Sequence, residues 1–383
     1  MCVKKEIFIP MIYLIVFLLS ILLFFYGARL TDRWRKYFCY TSGLLVPCLL
    51  AALRAENIGT DVLVYMKPLF LLTDSYSGFW DYYKGIHAGW GTEWAYAFLT
   101  YAVKRLTGSL PAFHLITQLL ISGMVFFSLR IYGKEEKLWM GMSAYYLLFY
   151  NQTFNIVRQS MACSCVLYAI VLLKGKKYIK SFLFFILATG FHNTAYFVLA
   201  FYGLYLLNRF LDERAKKWMY VVVVGTGFIC SVFYKEIILF LFGQFSFLPQ
   251  RYLNIFQREF SFNIPYALLA VFLINLGILC FVQEEEDKQW KSYMIGLQIG
   301  AVALIPLGSF IQVLSRLLLY IQYTCILLST EAPIVAVTRK RKGWKGNIKI
   351  HTEVWLLLFF VTYWWYFYVF CGSGETYPYR FGI

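Results

Sequence analysis

The sequence predicts an all-α, polytopic membrane protein with about twelve helical spans. Hydrophobic residues make up 60% of the 383 residues, aromatic residues make up 21%, and the mean hydropathy is +0.61. A soluble domain cannot bury that much apolar surface. The formal charge of +16 sits mostly in short loops between apolar runs, which is the positive-inside pattern of membrane proteins and excludes a nucleic-acid partner.

Apolar runs along the whole chain predict the spans. They lie near 7–26, 37–53, 110–129, 138–150, 159–173, 178–190, 191–207, 217–233, 263–282, 292–310, 316–335 and 353–371. The first run lacks a small-residue cleavage site and is interpreted as an uncleaved span. The four runs between 138 and 207 are shorter than the roughly 20 residues that cross the hydrocarbon, so they are expected to be short half-spans.

Basic loops set the expected orientation. The loops expected in the cytoplasm are 29–36, 130–137, 174–180, 209–217 and 339–349, because Lys and Arg favour that side. Both termini are then external. The whole chain, 1–383, is expected to form one integral domain, with 54–109 as a long external loop carrying surface helices.

Three polar clusters converge on the external side in this topology. They are RAENIGTD from Arg54, NQTFNIVRQS at 151–160 and FHN at 191–193. Since the spans around the second and third clusters are short, these junctions are expected below the membrane surface, in a cavity lined by protein where irregular backbone is tolerated.

Arg158 is the strongest candidate among the polar residues. An unpaired arginine at mid-bilayer costs about 2.5 to 3.5 kcal/mol on insertion scales. If the helix includes Asn155, the spacing of three residues places Asn155 and Arg158 on one face. The anion that it needs is either Asp61 or Glu93 of the first external loop, or an anionic group of a bound substrate.

The other candidates each have a structural alternative. Arg54 is either a snorkelling anchor or a site residue, and a turn at Gly59 and Thr60 would bring Asp61 back towards it. Asp61 can also serve as the N-cap of the following helix. A lone histidine such as His192 is often a hydrogen-bonded structural residue. Arg316, near the outer start of the span 316–335, has a similar claim to a functional role.

Several of these motifs occur together in one known family. R-x4-GTD-x3-Y at 54–65, Glu93 with Trp94, FNIVRQSMA at 154–162 and the Phe191–His192 pair resemble the EpsG-like family of bacterial exopolysaccharide proteins, which is grouped with the Wzy-type polymerases. The resemblance covers roughly residues 50–330, and the tail YPYRF matches only loosely.

The resemblance implies a fold similar to the GT-C class and a glycosyltransferase of the bacterial cytoplasmic membrane. It would join polyprenyl-diphosphate-linked oligosaccharide repeats on the outer face during capsule, exopolysaccharide or O-antigen synthesis. Membrane lipid and polysaccharide export or chain-length proteins are further expected partners.

Such a transfer needs cations for the diphosphate and a base for the acceptor hydroxyl. The expected substrate-binding residues are Arg54, Thr60, Tyr65, Arg158, Gln159, Asn193 and Arg316. The candidate bases are Asp61, Glu93 and His192. Because no D-x-D motif or outward-facing ligand cluster is present, neither a metal nor another cofactor is expected.

Three other activities fit the same sequence less fully. A GT-C enzyme that uses a polyprenyl-monophosphate sugar would have similar motifs. A flippase for lipid-linked sugars would be expected to have two similar halves, and no internal repeat is visible. A membrane acyltransferase would need a reactive histidine but would leave the three arginines unexplained.

Overall fold

The computed structural model describes residues 11–233, 236–237, 240, 265–281, 288–310, 312–332, 334–341 and 344–382. Parts of the predicted spans 7–26, 263–282 and 316–335 and of the loop 339–349 lie outside the described residues. The chain divides into two compact units. One comprises Met1–Tyr196 with Ile326–Ile383, and the other comprises Phe197–Cys325.

Most of the described residues are helical. In chain order the helices are α1 (Ile12–Gly27), α2 (Arg33–Ala52), α3 (Lys67–Leu72), α4 (Phe79–Trp90), α5 (Trp94–Thr107), α6 (Leu110–Tyr132), α7 (Leu138–Ala144), α8 (Val157–Lys174), α9 (Tyr178–Phe191), α10 (Leu199–Phe210), α11 (Glu213–Val232), α12 (Tyr266–Phe281), α13 (Lys288–Phe310), α14 (Gln312–Gln322), α15 (Thr324–Leu328) and α16 (Thr352–Trp364). Single π-helical turns adjoin α3, α7 and α16 at Val62–Met66, Tyr145–Tyr150 and Trp365–Phe370.

Three helices in the described part of the chain are long and apolar enough to cross a membrane. They are α6, α8 and the helix Thr352–Phe370 formed by α16 and its π turn, while α1, α9 and α12 are shorter apolar helices. The prediction of a half-span at 159–173 was wrong, because α8 has 18 residues. The protein is thus an α-helical membrane protein, and twelve spans remain a prediction.

The basic loop predicted at 339–349 is part of a β-hairpin. Strand β1 (Ile334–Arg341) pairs antiparallel with β2 (Trp344–His351), and the register places Ile334 opposite His351. The all-α prediction therefore omits one regular element. The run of alternating apolar and basic residues in β2 fits a strand as well as it fits a loop.

A proline inside α2 fixes how α1 and α2 pack. Pro47 has no N–H, so the carbonyl of Gly43 lacks its intrahelical donor. Instead, Ser20 Oγ of α1 donates to this carbonyl at 2.6 Å, and Tyr146 Oη donates at 3.2 Å. Gly43 also lies against the ring of Phe24, so the same residue gives both close packing and a buried polar contact.

The C-terminal tail returns to the end of α2. The N–H of Gly382 donates to the carbonyl of Leu53, the N–H of Ala55 donates to that of Arg380, both at 2.9 Å, and Arg54 forms an antiparallel bridge with Phe381. Tyr379 Oη donates to the carbonyl of Leu50 at 2.7 Å. The tail therefore supplies donors to the carbonyls that end α2 and holds the chain around Arg54.

Candidate functional site

Arg158 is the second residue of α8, and a helix N-terminus is an unfavourable position for a positive charge. The partial positive charge of a helix N-terminus opposes another positive charge by about 0.3 to 1 kcal/mol. No side chain caps this end of α8, and the Arg158 side chain is only 22% exposed. An arginine in this setting needs an anion.

Glu93 supplies that anion. Its Oε2 lies 2.8 Å from Arg158 Nη1, and its Oε1 accepts the backbone N–H of Asn193 at 3.0 Å. Glu93 occupies the N-cap position of α5, yet its side chain does not cap that helix and is only 5% exposed. The carboxylate thus ties the start of α8 to the segment after α9.

Tyr65 extends this cluster to the GTD motif. The Arg158 guanidinium carbon lies 4.8 Å from the Tyr65 ring centroid, a cation–π contact, and Tyr65 Oη donates to Asp61 Oδ2 at 2.6 Å. Desolvation by burial raises the pKa of Tyr65 well above its usual value, and neighbouring Tyr96 and Asp61 raise it further. The hydroxyl therefore stays protonated and remains a donor to Asp61.

The turn before Asp61 depends on glycine. Gly59 has φ +90°, and a Cβ there would lie 2.7 Å from the carbonyl oxygen of Phe154. The following residue, Thr60, donates its backbone N–H and its hydroxyl to Asn155 Oδ1 at 2.7 and 3.0 Å. Only glycine allows the turn to approach the 151–160 segment this closely.

Asn155 is not on the same helical face as Arg158, so that prediction was wrong. The 3-10 turn Asn151–Phe154 ends before Asn155, and α8 begins two residues after it. The break frees the Asn155 side chain to accept from Thr60, while Arg158 pairs with Glu93. The two residues therefore bind different parts of the first loop.

The turn predicted at Gly59 and Thr60 does not give Arg54 an ion pair with Asp61. Among the described residues Arg54 forms no ion pair. Its Nη1 donates to the carbonyl of Ala51 at 3.0 Å, its guanidinium lies 4.2 Å from the Phe154 ring centroid, and its buried Nε has no hydrogen-bond partner in the described part of the chain.

Arg54 is nevertheless a charged group at neutral pH. The residue is 5% exposed, and desolvation by burial lowers the pKa of its guanidinium to about 10. Nearby tyrosines oppose that shift. A buried cation of this kind attracts an anionic ligand.

His192 follows α9 and has a defined tautomer when neutral. Its Nδ1 lies 3.1 Å from the backbone N–H of Thr194 and 2.8 Å from the Thr194 hydroxyl. Since a backbone N–H can only donate, Nδ1 accepts and the ring proton of neutral His192 lies on Nε2. Nearby, Gly190 allows Trp94 to pack against α9, which places Glu93 beside the 191–193 segment.

Two other predicted site residues, Gln159 and Arg316, lie in different units of the chain. Gln159 follows Arg158 on α8 and is buried. Arg316 lies on α14 and belongs to the second unit. The structure thus brings Thr60, Asp61, Tyr65, Glu93, Arg158, His192 and Asn193 into one connected cluster in the first unit.

Sequence reasoning missed Tyr96 and the tail, and it assigned Asn155 to the wrong neighbour. Tyr96 Oη is buried without a hydrogen-bond partner among the described residues, and its ring makes an edge-on contact with that of Tyr65, with centroids 6.2 Å apart. Tyr96 follows Glu93 by one helical turn, which was the available signal. For the tail, local sequence contains no comparable signal.

No group of three or more His, Cys, Asp or Glu side chains lies within metal-binding range among residues that the structure describes. The charged groups of the cluster are the guanidinium of Arg158 and the carboxylates of Glu93 and Asp61.

The fold and this cluster define a helical membrane protein with a charged site built from four separate motifs. A comparison with protein-family models found a match to the EpsG family over residues 36–381. The chain therefore belongs to the EpsG family, a family of Wzy-type polymerases, which confirms the resemblance.

The family match also extends the predicted coverage, since it includes α2 and the tail as far as Phe381. At family level the chain is a membrane protein of the polysaccharide polymerase type. A search of curated proteins and a search of solved structures each found no match, so the GT-C-like architecture remains a prediction.

Proposed function

We propose that this protein is a glycosyltransferase that polymerises polyprenyl-diphosphate-linked oligosaccharides on the outer face of the bacterial cytoplasmic membrane. The observation that carries the proposal is the state of Arg158. Its Nη1 binds Glu93, while Nη2 and Nε make no hydrogen bond to a described residue. A partly exposed planar edge of this kind suits two phosphate oxygens.

The reaction explains why the edge is needed. The bond between the anomeric carbon and the diphosphate oxygen breaks, and a new bond forms between that carbon and an acceptor hydroxyl oxygen. Negative charge then grows on the leaving diphosphate. Hydrogen bonds from a guanidinium to such oxygens contribute about 1.5 to 3 kcal/mol each, and those that strengthen as charge develops accelerate transfer.

Asp61 is the base in this proposal. Both oxygens of Glu93 are already bound, one to Arg158 and one to Asn193, so Glu93 positions Arg158 instead of accepting a proton. Nδ1 of His192 accepts from Thr194, so neutral His192 is suited to donate a hydrogen bond from Nε2. Asp61 has a partly exposed carboxylate held by Tyr65.

Arg54 has a supporting role in substrate binding. Its buried positive charge lacks a carboxylate partner among the described residues. We assign Thr60, Gln159 and Asn193 to the walls of the same site. Arg316 is retained as a substrate-binding residue on the basis of the sequence alone.

The experiment that tests the function is reconstitution. The purified protein in liposomes, given a polyprenyl-diphosphate oligosaccharide, is expected to produce a ladder of polymers together with free polyprenyl diphosphate. A polyprenyl-monophosphate sugar offered in parallel should not be used. Polymer made only from the monophosphate donor would favour the other glycosyltransferase class, and transbilayer movement of the donor without polymer would indicate a flippase.

The membrane orientation can be tested separately. Accessibility tags at Lys176 are expected in the cytoplasm and tags at Ser77 outside, because positively charged loops stay inside. An inward-facing Ser77 would contradict an external active site.

A deletion strain tests polymerase against flippase in the cell. Single lipid-linked repeat units should accumulate on the outer leaflet of that strain.

A further inference from the structure

The second unit contains a basic cavity between the first turns of α11 and α13. The cavity has a volume of about 430 Å³ and is lined by Lys216, Lys217, Lys288 and Lys291, with Glu213 as an acidic lining residue. Lysines therefore make up four of the eight lining residues. None of the motifs of the polymerase site falls in this region.

Glu213 neutralises this cavity only weakly. Its Oε1 lies 2.8 Å from Lys216 Nζ, but the Glu213 side chain is 81% exposed whereas that of Lys216 is 10% exposed. A solvated carboxylate contributes little to an ion pair. A largely buried lysine beside three others is stabilised much more by an anionic group inside the cavity.

An apolar cavity continues from the basic one. It has a volume of about 540 Å³, and Tyr220 lines both cavities. Its other lining residues include Val221, Val224 and Phe228 of α11 and Ile299 of α13. Tyr220 and Phe228 are eight residues apart, so the apolar part extends about 12 Å along α11.

Helices α11 and α13 run in the same direction, so the basic and the apolar cavity follow one another along the helix pair. Tyr220 of α11 lies against Gly296 of α13, and seven residues later on both helices Gly227 lies against Ala303. The two helices are therefore parallel. Both helices begin at the lysines. The lysines therefore lie at one end of the helix pair and the apolar lining follows towards the other end.

We infer that α11 and α13 bind an anionic phospholipid, with its phosphate among the lysines and an acyl chain along the apolar cavity. Lysine clusters at the ends of membrane helices bind acidic headgroups. A free phosphate would occupy only the basic part and would leave the apolar cavity unexplained. The inference does not depend on the proposed polymerase activity.

The test is lipid binding by the full-length protein in detergent, measured by native mass spectrometry. With equal amounts of phosphatidylglycerol and phosphatidylcholine of the same acyl chains, the protein should bind the anionic lipid at least fivefold more. The triple variant Lys217→Gln, Lys288→Gln, Lys291→Gln should lose this preference. The matched control removes three exposed lysines elsewhere, Lys176→Gln, Lys177→Gln, Lys180→Gln, and should retain it.

A second variant separates the lipid from a soluble anion. Val224→Trp leaves every lysine in place but fills the apolar cavity, so it should weaken phosphatidylglycerol binding at least threefold. Inorganic phosphate at the same concentration as the lipid should not displace it. Unchanged preference in the triple variant, unchanged binding in Val224→Trp, or displacement by phosphate would each overturn the inference, and monodisperse elution of both variants verifies their folding.

Discussion

Arg158 and Glu93 form an ion pair that joins two segments 65 residues apart, with Nη1 and Oε2 separated by 2.8 Å. The pair holds the guanidinium at the start of α8 and leaves its other edge without a hydrogen bond to a described residue. It therefore combines a positioning carboxylate with a cation that can bind substrate. Separate substitutions can therefore test the positioning role of Glu93 and the binding role of Arg158.

Replacing Glu93 should impair Arg158 without removing the cation. Glu93→Gln keeps the acceptor for the Asn193 N–H but loses the charge, so polymer synthesis should fall at least tenfold, or about 1.4 kcal/mol. Glu56→Gln is the matched control, because Glu56 forms an exposed ion pair with Lys67 and such pairs contribute little. If Glu93→Gln and Glu56→Gln had equal activity, Glu93 would have no role in the site.

Asp61 should behave as a base. Asp61→Asn cannot accept a proton and should lose at least 100-fold in turnover, since general bases typically contribute about 10² to 10⁴. Asp74→Asn in the same first loop, where the exposed Asp74 pairs with Lys104, should retain activity. Initial rates in liposomes give the comparison, and near-normal rates for Asp61→Asn would reassign the base.

Tyr65→Phe isolates one hydrogen bond of the cluster. The variant retains the ring that contacts Arg158 but removes the donor to Asp61. Because a hydrogen bond to a carboxylate favours its ionised form, the acidic limb of the rate profile should move to higher pH while the rate at high pH changes little. A profile superimposable on that of the unmodified protein would show that Asp61 is not the titrating group.

Gly59→Ala should destroy the turn, and Gly91→Ala provides the control. Both glycines have positive φ, +90° and +62°, but a Cβ at Gly59 would lie 2.7 Å from the Phe154 carbonyl whereas nothing lies within 4 Å at Gly91. The left-handed backbone conformation alone costs alanine about 1 to 2 kcal/mol. We expect Gly91→Ala to retain polymer formation and Gly59→Ala to abolish it. If both variants were equally active, the close approach would not matter.

Removal of divalent ions should leave polymerisation intact. Arg158 and Arg54 supply positive charge that a metal would otherwise provide at a diphosphate. The measurement is polymer formation by reconstituted protein in EDTA, with a metal-dependent glycosyltransferase as the control for chelation. Abolition by EDTA with rescue by magnesium or manganese would contradict this, provided that the ion does not act on the lipid diphosphate itself.

The helices and motifs were largely predictable because their signals are local. Hydropathy located α6, α8 and α16, and the motif residues Glu93 and Arg158 were recognised as site candidates. Their pairing was not predictable, since Asp61 and Glu93 were equivalent acidic partners for Arg158 in sequence. The choice depends on how Trp94 packs against Gly190, which is a tertiary contact.

Irregular backbone explains the wrong expectations. The spacing of Asn155 and Arg158 predicts one helical face, but α8 begins only at Val157. Asn155 lies before the helix, where its side chain binds Thr60 and lies against Gly374. The same applies to the tail: Tyr379 reaches Leu50 across 329 residues. Contacts at such separations leave no periodic pattern in the sequence.

The central claim is that the planar edge of Arg158 binds the substrate diphosphate, and Arg158→Lys tests it most directly. Lysine retains the charge beside Glu93 but lacks the planar fork. Arg214 is the matched control, because it is exposed and is also the second residue of its helix, α11. In liposomes at equal protein levels, Arg158→Lys should make polymer at least tenfold more slowly than the unmodified protein, while Arg214→Lys should match it. Full-rate polymer synthesis by Arg158→Lys would contradict the claim and make Arg158 a structural partner of Glu93.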